Sequence, residues 1–129
     1  SAYTTVASTN TYVNDPLIVL NNGFSGTNTY DEGFVFNRGS LQNRALIWSE
    51  FNQEFRLIGT TETGTTYGNV AVSSYANLHL GNLRVDYTIT GTGNFNTTGF
   101  INTSNTKCKD IYQSNIGKRI DSLLFYIYR

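Results

Sequence analysis

The residues best spaced for chemistry lie near the end of the chain, in Ser104-Asn-Thr-Lys107-Cys-Lys109-Asp-Ile111. A Ser and a Lys five residues apart can form a nucleophile–base dyad if the backbone folds the Lys back. A desolvated Lys then accepts the Ser proton and activates the hydroxyl against a nearby carbonyl. The spacing alone is common and carries no assignment. Two carboxylate pairs also stand out, Asp31–Glu32 and Glu50/Glu54. Glycosidase chemistry needs two acids facing each other across a sugar, roughly 5 to 9.5 Å apart. Nothing in the sequence arranges these pairs so, and they are expected to be solvated turn acids, with Glu50 open to pairing with an Arg. His79 alternates with Leu78 and Leu80, so it is expected to face solvent or a chain interface. Three copies meeting on a symmetry axis would be a weak candidate for a metal or anion site. One His and one Cys within a chain cannot build a His/Cys zinc site, and no cofactor is expected.

Other motifs are weaker. Gly91-Thr-Gly93 lacks the Gly-Lys-Ser/Thr of a phosphate loop. Arg38, Arg44, Arg56 and Arg84 are scattered among aromatics but outnumbered by acids, so no nucleic-acid partner is expected. Asn96-Thr-Thr98 and Asn102-Thr-Ser104 match the glycosylation pattern, as chance allows in so Asn/Thr-rich a chain.

Composition bounds the elements that must position these residues. Of 129 residues, Thr (18), Asn (16), Gly (12) and Ser (10) make up about 43%, and charged residues only 14%. That argues against a helical bundle. An aromatic content of 14% argues equally against a charged disordered chain. No apolar run approaches a membrane-spanning length, and the start of the chain lacks the basic and apolar regions of a signal peptide. The single Cys108 rules out an intrachain disulfide. The net charge of zero divides into −3 for residues 1–103 and +3 for 104–129, where all three Lys lie. A boundary is therefore expected near Thr103 or Ser104, the alternative being one domain with a basic terminal helix.

The pattern between turn signals is one of short strands. Ala2–Ala7 alternates weakly, and Leu17–Leu20 is a short apolar run. Strands are expected at Gly33–Asn37, Arg44–Ser49 and Glu54–Gly59, with a break at Arg38–Ser40 and a hairpin turn at Glu50–Gln53. Arg44–Ser49 is apolar enough to be covered on both faces. Loops are expected at Asn21–Thr29 and Thr60–Gly68, and further strand-like stretches at Asn69–Ser73, Asn77–Val85 and Asp86–Thr90. From Gly91 to Ser104, single apolar residues recur between small polar turns. Such segments bury too little to hold a sheet alone and become stable when three chains supply a shared core; a loose edge hairpin is the alternative. From about Ser114, Ile116, Ile120, Leu123, Leu124 and Ile127 fit one helix face, turning to strand near Phe125.

The stretches Asp31–Ser40, Asn43–Glu50, Glu54–Thr65 and Leu78–Val85 together resemble modules in tail-fibre and other virion structural proteins of marine tailed phages. Gly91–Thr103 resembles the repetitive β-shaft that follows such modules. Ser104–Tyr128 resembles the start of the endosialidase-type intramolecular chaperone domain, which opens with Ser-Asp-x-Arg-Leu-Lys-x-Asn/Asp-Ile. Ser104 and Lys109 match the Ser and Lys that, in that family, direct chaperone release after trimerisation. Lys107 stands for Arg, Asp110-Ile111 match, Asn105 replaces Asp and Cys108 replaces Leu. With 26 residues after Thr103, the segment is expected to be a truncated start, a relic or a cap, its Ser104–Lys109 pair vestigial.

The expected fold class is thus all-β: short antiparallel strands and hairpins with a fibre-like β-shaft and one short C-terminal helix, in an intertwined homotrimer. The expected divisions are a strand-rich module (1–90), a shaft-like linker (91–103) and a basic terminal segment (104–129). Expected core or interface residues are Phe34, Phe36, Ile47, Trp48, Phe55, Leu57, Leu80, Val85 and Ile89. The resemblance implies a non-enzymatic assembly or host-attachment element, made in the host cytoplasm and resident in the virion. Its partners would be its own copies, other virion proteins and a host-surface glycan or protein, without membrane insertion. The alternatives are a monomeric β-sandwich binding module, a capsid decoration or filament subunit, and a self-cleaving Ser–Lys unit. A vestigial dyad predicts one species of intact mass when the purified chain is denatured and weighed by mass spectrometry. A fragment ending at Thr103, abolished by Ser104→Ala, would instead show a working dyad.

Overall fold

The computed structural model describes residues 5–7 and 9–101. These are strand and loop without helix, organised around one antiparallel sheet in the order β1-β2-β3-β4. The strands are β1 (Glu32–Arg38), β2 (Leu41–Ser49), β3 (Glu54–Thr60) and the two-residue β4 (Ser74–Tyr75). The three long strands coincide with the expected runs of aromatic and β-branched residues, which favour a pleated, half-buried surface. The expected C-terminal helix, and the Ser104–Lys109 pair with it, lie outside the described residues.

Each connection has a local cause. Between β1 and β2, Gly39 adopts φ +64°, and its N–H donates to Asn37 Oδ1 at 2.8 Å. A residue with a Cβ is strained at that φ, so glycine is the natural occupant. Between β2 and β3, the Gln53 N–H donates to the Ser49 carbonyl at 2.8 Å. Gln53 is itself left-handed, and its side-chain amide donates to the Glu50 carbonyl at 2.6 Å.

Register sorts the side chains onto two faces. Val35, Ala45 and Ile58 stand in one row, and Gly33, Ile47 and Arg56 in the next. This face is covered. Ala45, Ile47 and Ile58 form its buried core, against which Val35 and Val70 pack. Gly33 matters here: an added Cβ would sit 2.7 Å from the Ile47 Cα, so β1 approaches β2 more closely there than a side chain allows. The opposite face carries Phe34, Leu46 and Leu57 in one row and Trp48 beside Phe55 in another. Among the described residues nothing closes over it, and Phe34, Phe36, Leu46 and Phe55 remain exposed.

That arrangement corrects the reading of Arg44–Ser49 as covered on both faces. The period-2 alternation of exposure along β2 shows one face buried and one open. The strand-like stretches expected at Asn69–Ser73, Asn77–Val85 and Asp86–Thr90 are also not strands here; only Ser74 and Tyr75 pair with β3. Alternating apolar residues favour a strand only where a neighbouring strand offers its hydrogen bonds; the last from β3 goes to the Ala76 N–H, which donates to the Leu57 carbonyl at 2.9 Å. Thr5–Ala7 is likewise not strand; the rest of the Ala2–Ala7 run lies outside the described residues.

Contacts divide the chain into two units, Ser1–Asn82 and Leu83–Arg129. The sheet belongs to the first. In the described part of the second, residues 83–101 are irregular, with an exposed ion pair from Arg84 Nε to Asp86 Oδ1 at 3.1 Å. Val85, Tyr87, Ile89, Phe95 and Phe100 are exposed along it.

Because so few apolar side chains are buried, each matters. Ile58→Ala should cost about 2–4 kcal/mol from lost burial and the cavity left behind. Denaturant unfolding followed by the fluorescence of Trp48 measures this; a loss below about 0.5 kcal/mol, the range of a surface substitution, would contradict the core assignment.

Candidate functional site

Two features of the first unit are built from side chains that sequence reasoning singled out: a set of carboxylates that organise loops, and the open apolar face of the sheet.

Glu54 is the exposed turn acid expected, whereas Asp31, Glu32 and Glu50 are half-buried and hydrogen-bonded. Asp31 lies just before β1 and is half-buried. Its Oδ1 accepts the Glu50 N–H at 2.8 Å, and its Oδ2 accepts the Val70 N–H at 2.8 Å. Its own N–H donates to the Gly68 carbonyl at 2.9 Å. One side chain thus ties the β2–β3 turn to the segment that places Val70 on the core. Glu50 accepts the Trp48 indole N–H at 2.9 Å and the Gln53 amide at 2.9 Å. The Trp48 bond, followed by that of Gln53, holds the Glu50 carboxyl below the usual range. Glu50 pairs with no Arg among these bonds; Arg56 pairs with Glu54 instead, Nε to Oε1 at 2.7 Å. Asn28 Nδ2 bridges Glu32 Oε1 at 3.1 Å and Glu50 Oε2 at 3.4 Å. Carboxylates committed in this way to amides and an indole act as structural acceptors.

Glu62 was singled out by no sequence pattern, yet it is the most enclosed acid among the described residues, 8% exposed. Its Oε1 accepts the backbone N–H groups of Thr63 (3.0 Å), Gly64 (2.6 Å), Thr65 (2.8 Å) and Thr66 (3.3 Å). Successive N–H groups converging on one point form a concave nest that favours negative charge. Here the chain supplies its own anion. Burial alone would raise the Glu62 carboxyl, but the Thr66 hydroxyl and the amides of Thr65, Gly64 and Thr66 outweigh it and hold it at about 2. The Glu62 N–H donates to Thr60 Oγ1 at 3.0 Å, and that hydroxyl donates to the Ala71 carbonyl at 2.6 Å. Asn43 Nδ2 closes the set on the Glu62 carbonyl at 3.0 Å. The only legible signal for this hub is Glu-Thr-Gly-Thr-Thr itself, an acid followed by turn residues.

Of the expected core or interface residues, Ile47 lies in the core and Trp48 and Leu57 are half-buried on the open face. Phe34 (47% exposed), Phe36 (54%) and Phe55 (75%) stand on the same open face. Leu80 is exposed in the first unit, and Val85 and Ile89 are exposed in the second. The sequence reading missed Ala45, Ile58, Thr60 and Glu62 as interior positions. His79 is exposed, and no cluster of three or more His, Cys, Asp or Glu able to hold a metal occurs among the described residues.

What this geometry defines is an all-strand module with one face closed by a polar-clamped segment and the other left apolar. No protein-family model, curated protein or solved structure matches the chain.

The Glu62 nest has a signed pH consequence. A folded value of about 2 against the ordinary 4.5 stabilises the fold fully above the ordinary value. That contribution is lost as pH falls from there toward the folded value. Glu62→Gln should therefore destabilise by about 1–3 kcal/mol at neutral pH. The gap from wild type should shrink steadily below the ordinary carboxyl value. Urea titrations across that range check this, and a gap independent of pH would contradict it.

Proposed function

We propose that this chain is a tail-fibre or related virion structural protein of a tailed phage: a non-enzymatic, homotrimeric assembly and host-attachment element. The observation that carries the reading is the imbalance of the single copy. Ala45, Ile47 and Ile58 are the buried apolar side chains of the described residues, while Phe34, Phe36, Leu46 and Phe55 stand outside. Ordering a residue costs on the order of 1–2 kcal/mol of backbone entropy. Fully burying a large apolar side chain returns only about 1.5–3 kcal/mol. Three interior apolar side chains are a small core for the described residues, and burial against other copies would add to it.

The second unit supports the same reading. Val85, Tyr87, Ile89, Phe95 and Phe100 punctuate a Thr/Gly/Asn-rich stretch and are all exposed. Such a stretch suits a shaft in which neighbouring chains supply the missing core. The resemblance of residues 31–103 to marine phage fibre modules supplies the virion setting. In that setting the partners are further copies, other virion proteins and a glycan or protein of the host surface, with the loop Asn21–Tyr30 as the natural variable surface.

Light scattering on the intact chain should give a mass about three times 14.4 kDa. Phe36→Ala should lower the melting temperature and the assembled fraction together. A monomer of 14.4 kDa, melting independently of concentration, would overturn the reading in favour of a single-chain binding module.

A further inference from the structure

We infer that the open face of β1–β3 is the surface through which copies of this chain pack against one another. The inference rests on the multichain reading above and gives it an address.

Register brings the face together from three strands. Phe34, Leu46 and Leu57 form a wholly apolar middle row. Trp48 and Phe55 form the next, their rings edge to face with centroids 5.0 Å apart. Phe36 extends the face on the other side of the middle row, beside Arg44. These six side chains expose on the order of 500 Å², in the range of the largest apolar patch of an ordinary monomer, which is often functional. Leu20 and Leu78 border it, both exposed. With them the exposed area is on the order of 700 Å², close to the roughly 800 Å² that one partner contributes to a standard stable interface.

The polar groups at the margins say what kind of partner fits. Arg44 Nη1 donates to Gln42 Oε1 at 3.0 Å, turned back along its own strand. Glu32 Oε1 accepts from Asn21 at 3.0 Å and from Asn28 at 3.1 Å. The Trp48 indole N–H is given to Glu50. A sugar would require polar groups directed at its hydroxyls, whereas these are directed at one another. A dry apolar surface without charge in its centre fits another such surface, and the same face on a neighbouring copy is one. The pattern of an apolar centre with a satisfied polar rim is that of a protein interface.

Trp48 is the single tryptophan and sits on the proposed interface, so its emission reports on it directly. In the full-length assembly, Trp48 should be shielded from acrylamide, and quenching should rise with red-shifted emission as the protein is diluted. Leu46→Glu places a charge in the middle row and should yield a monomer that keeps its sheet by amide I infrared absorption. If that variant unfolds, Phe55→Ser decides: Phe55 is 75% exposed in one copy, so folding does not need it. It should weaken assembly about tenfold or more, as loss of a central aromatic anchor does. A wild-type oligomer whose mass and Trp48 quenching survive both substitutions would overturn this interface and leave the multichain reading standing. A monomeric wild type would overturn both.

Discussion

The contact of Val70 with Ala45, Ile47 and Ile58 is the one on which the rest of this fold depends. A sheet of three long strands has two faces and needs at least one of them dry. The chain achieves this with a loop segment that returns after β3 and lays Val70 on the covered face. A loop carries backbone donors and acceptors that must be satisfied wherever it is buried. The acids and hydroxyls around it do that. Asp31 takes the Val70 N–H, Thr60 gives its hydroxyl to the Ala71 carbonyl, and Glu62 takes four amides of the preceding turn. The hydrophobic contact is small, and its placement is electrostatic.

This division of labour explains the composition. A chain with so much Asn and Thr and so little Lys in its first hundred residues can saturate loop backbone locally with short side chains. Asn37 caps the Gly39 turn, Asn28 bridges two acids, and Asn43 joins the Arg38 N–H to the Glu62 carbonyl. Such loops hold their shape without a large core, which leaves the larger aromatic residues available for a surface.

The consequence is an asymmetric module. One face is closed by polar clamps around Ala45, Ile47 and Ile58, and the other gathers phenylalanines, leucines and the tryptophan with nothing among the described residues over them. An apolar face of this extent is costly to keep in water. In the assembly proposed above, contact between copies would take this face out of water.

Much of the sheet was legible from the residues. Period-2 alternation and β-branched or aromatic content located β1, β2 and β3, and Arg-Gly-Ser and Glu-Phe-Asn-Gln marked their turns. The same signals misled at Asn77–Thr90, where apolar alternation exists but no neighbouring strand supplies hydrogen bonds. Periodicity records which side chains share a face, not whether that face or that ladder finds a partner. It likewise could not say which face of β2 the chain would cover. Nor could it find Glu62, whose role depends on a turn that wraps four amides around one oxygen. Strand positions follow from properties of neighbouring residues along the chain and so are written in the sequence. Which face is dry, and which acid is held as an ion inside a loop, depends on segments that meet only when the chain returns on itself.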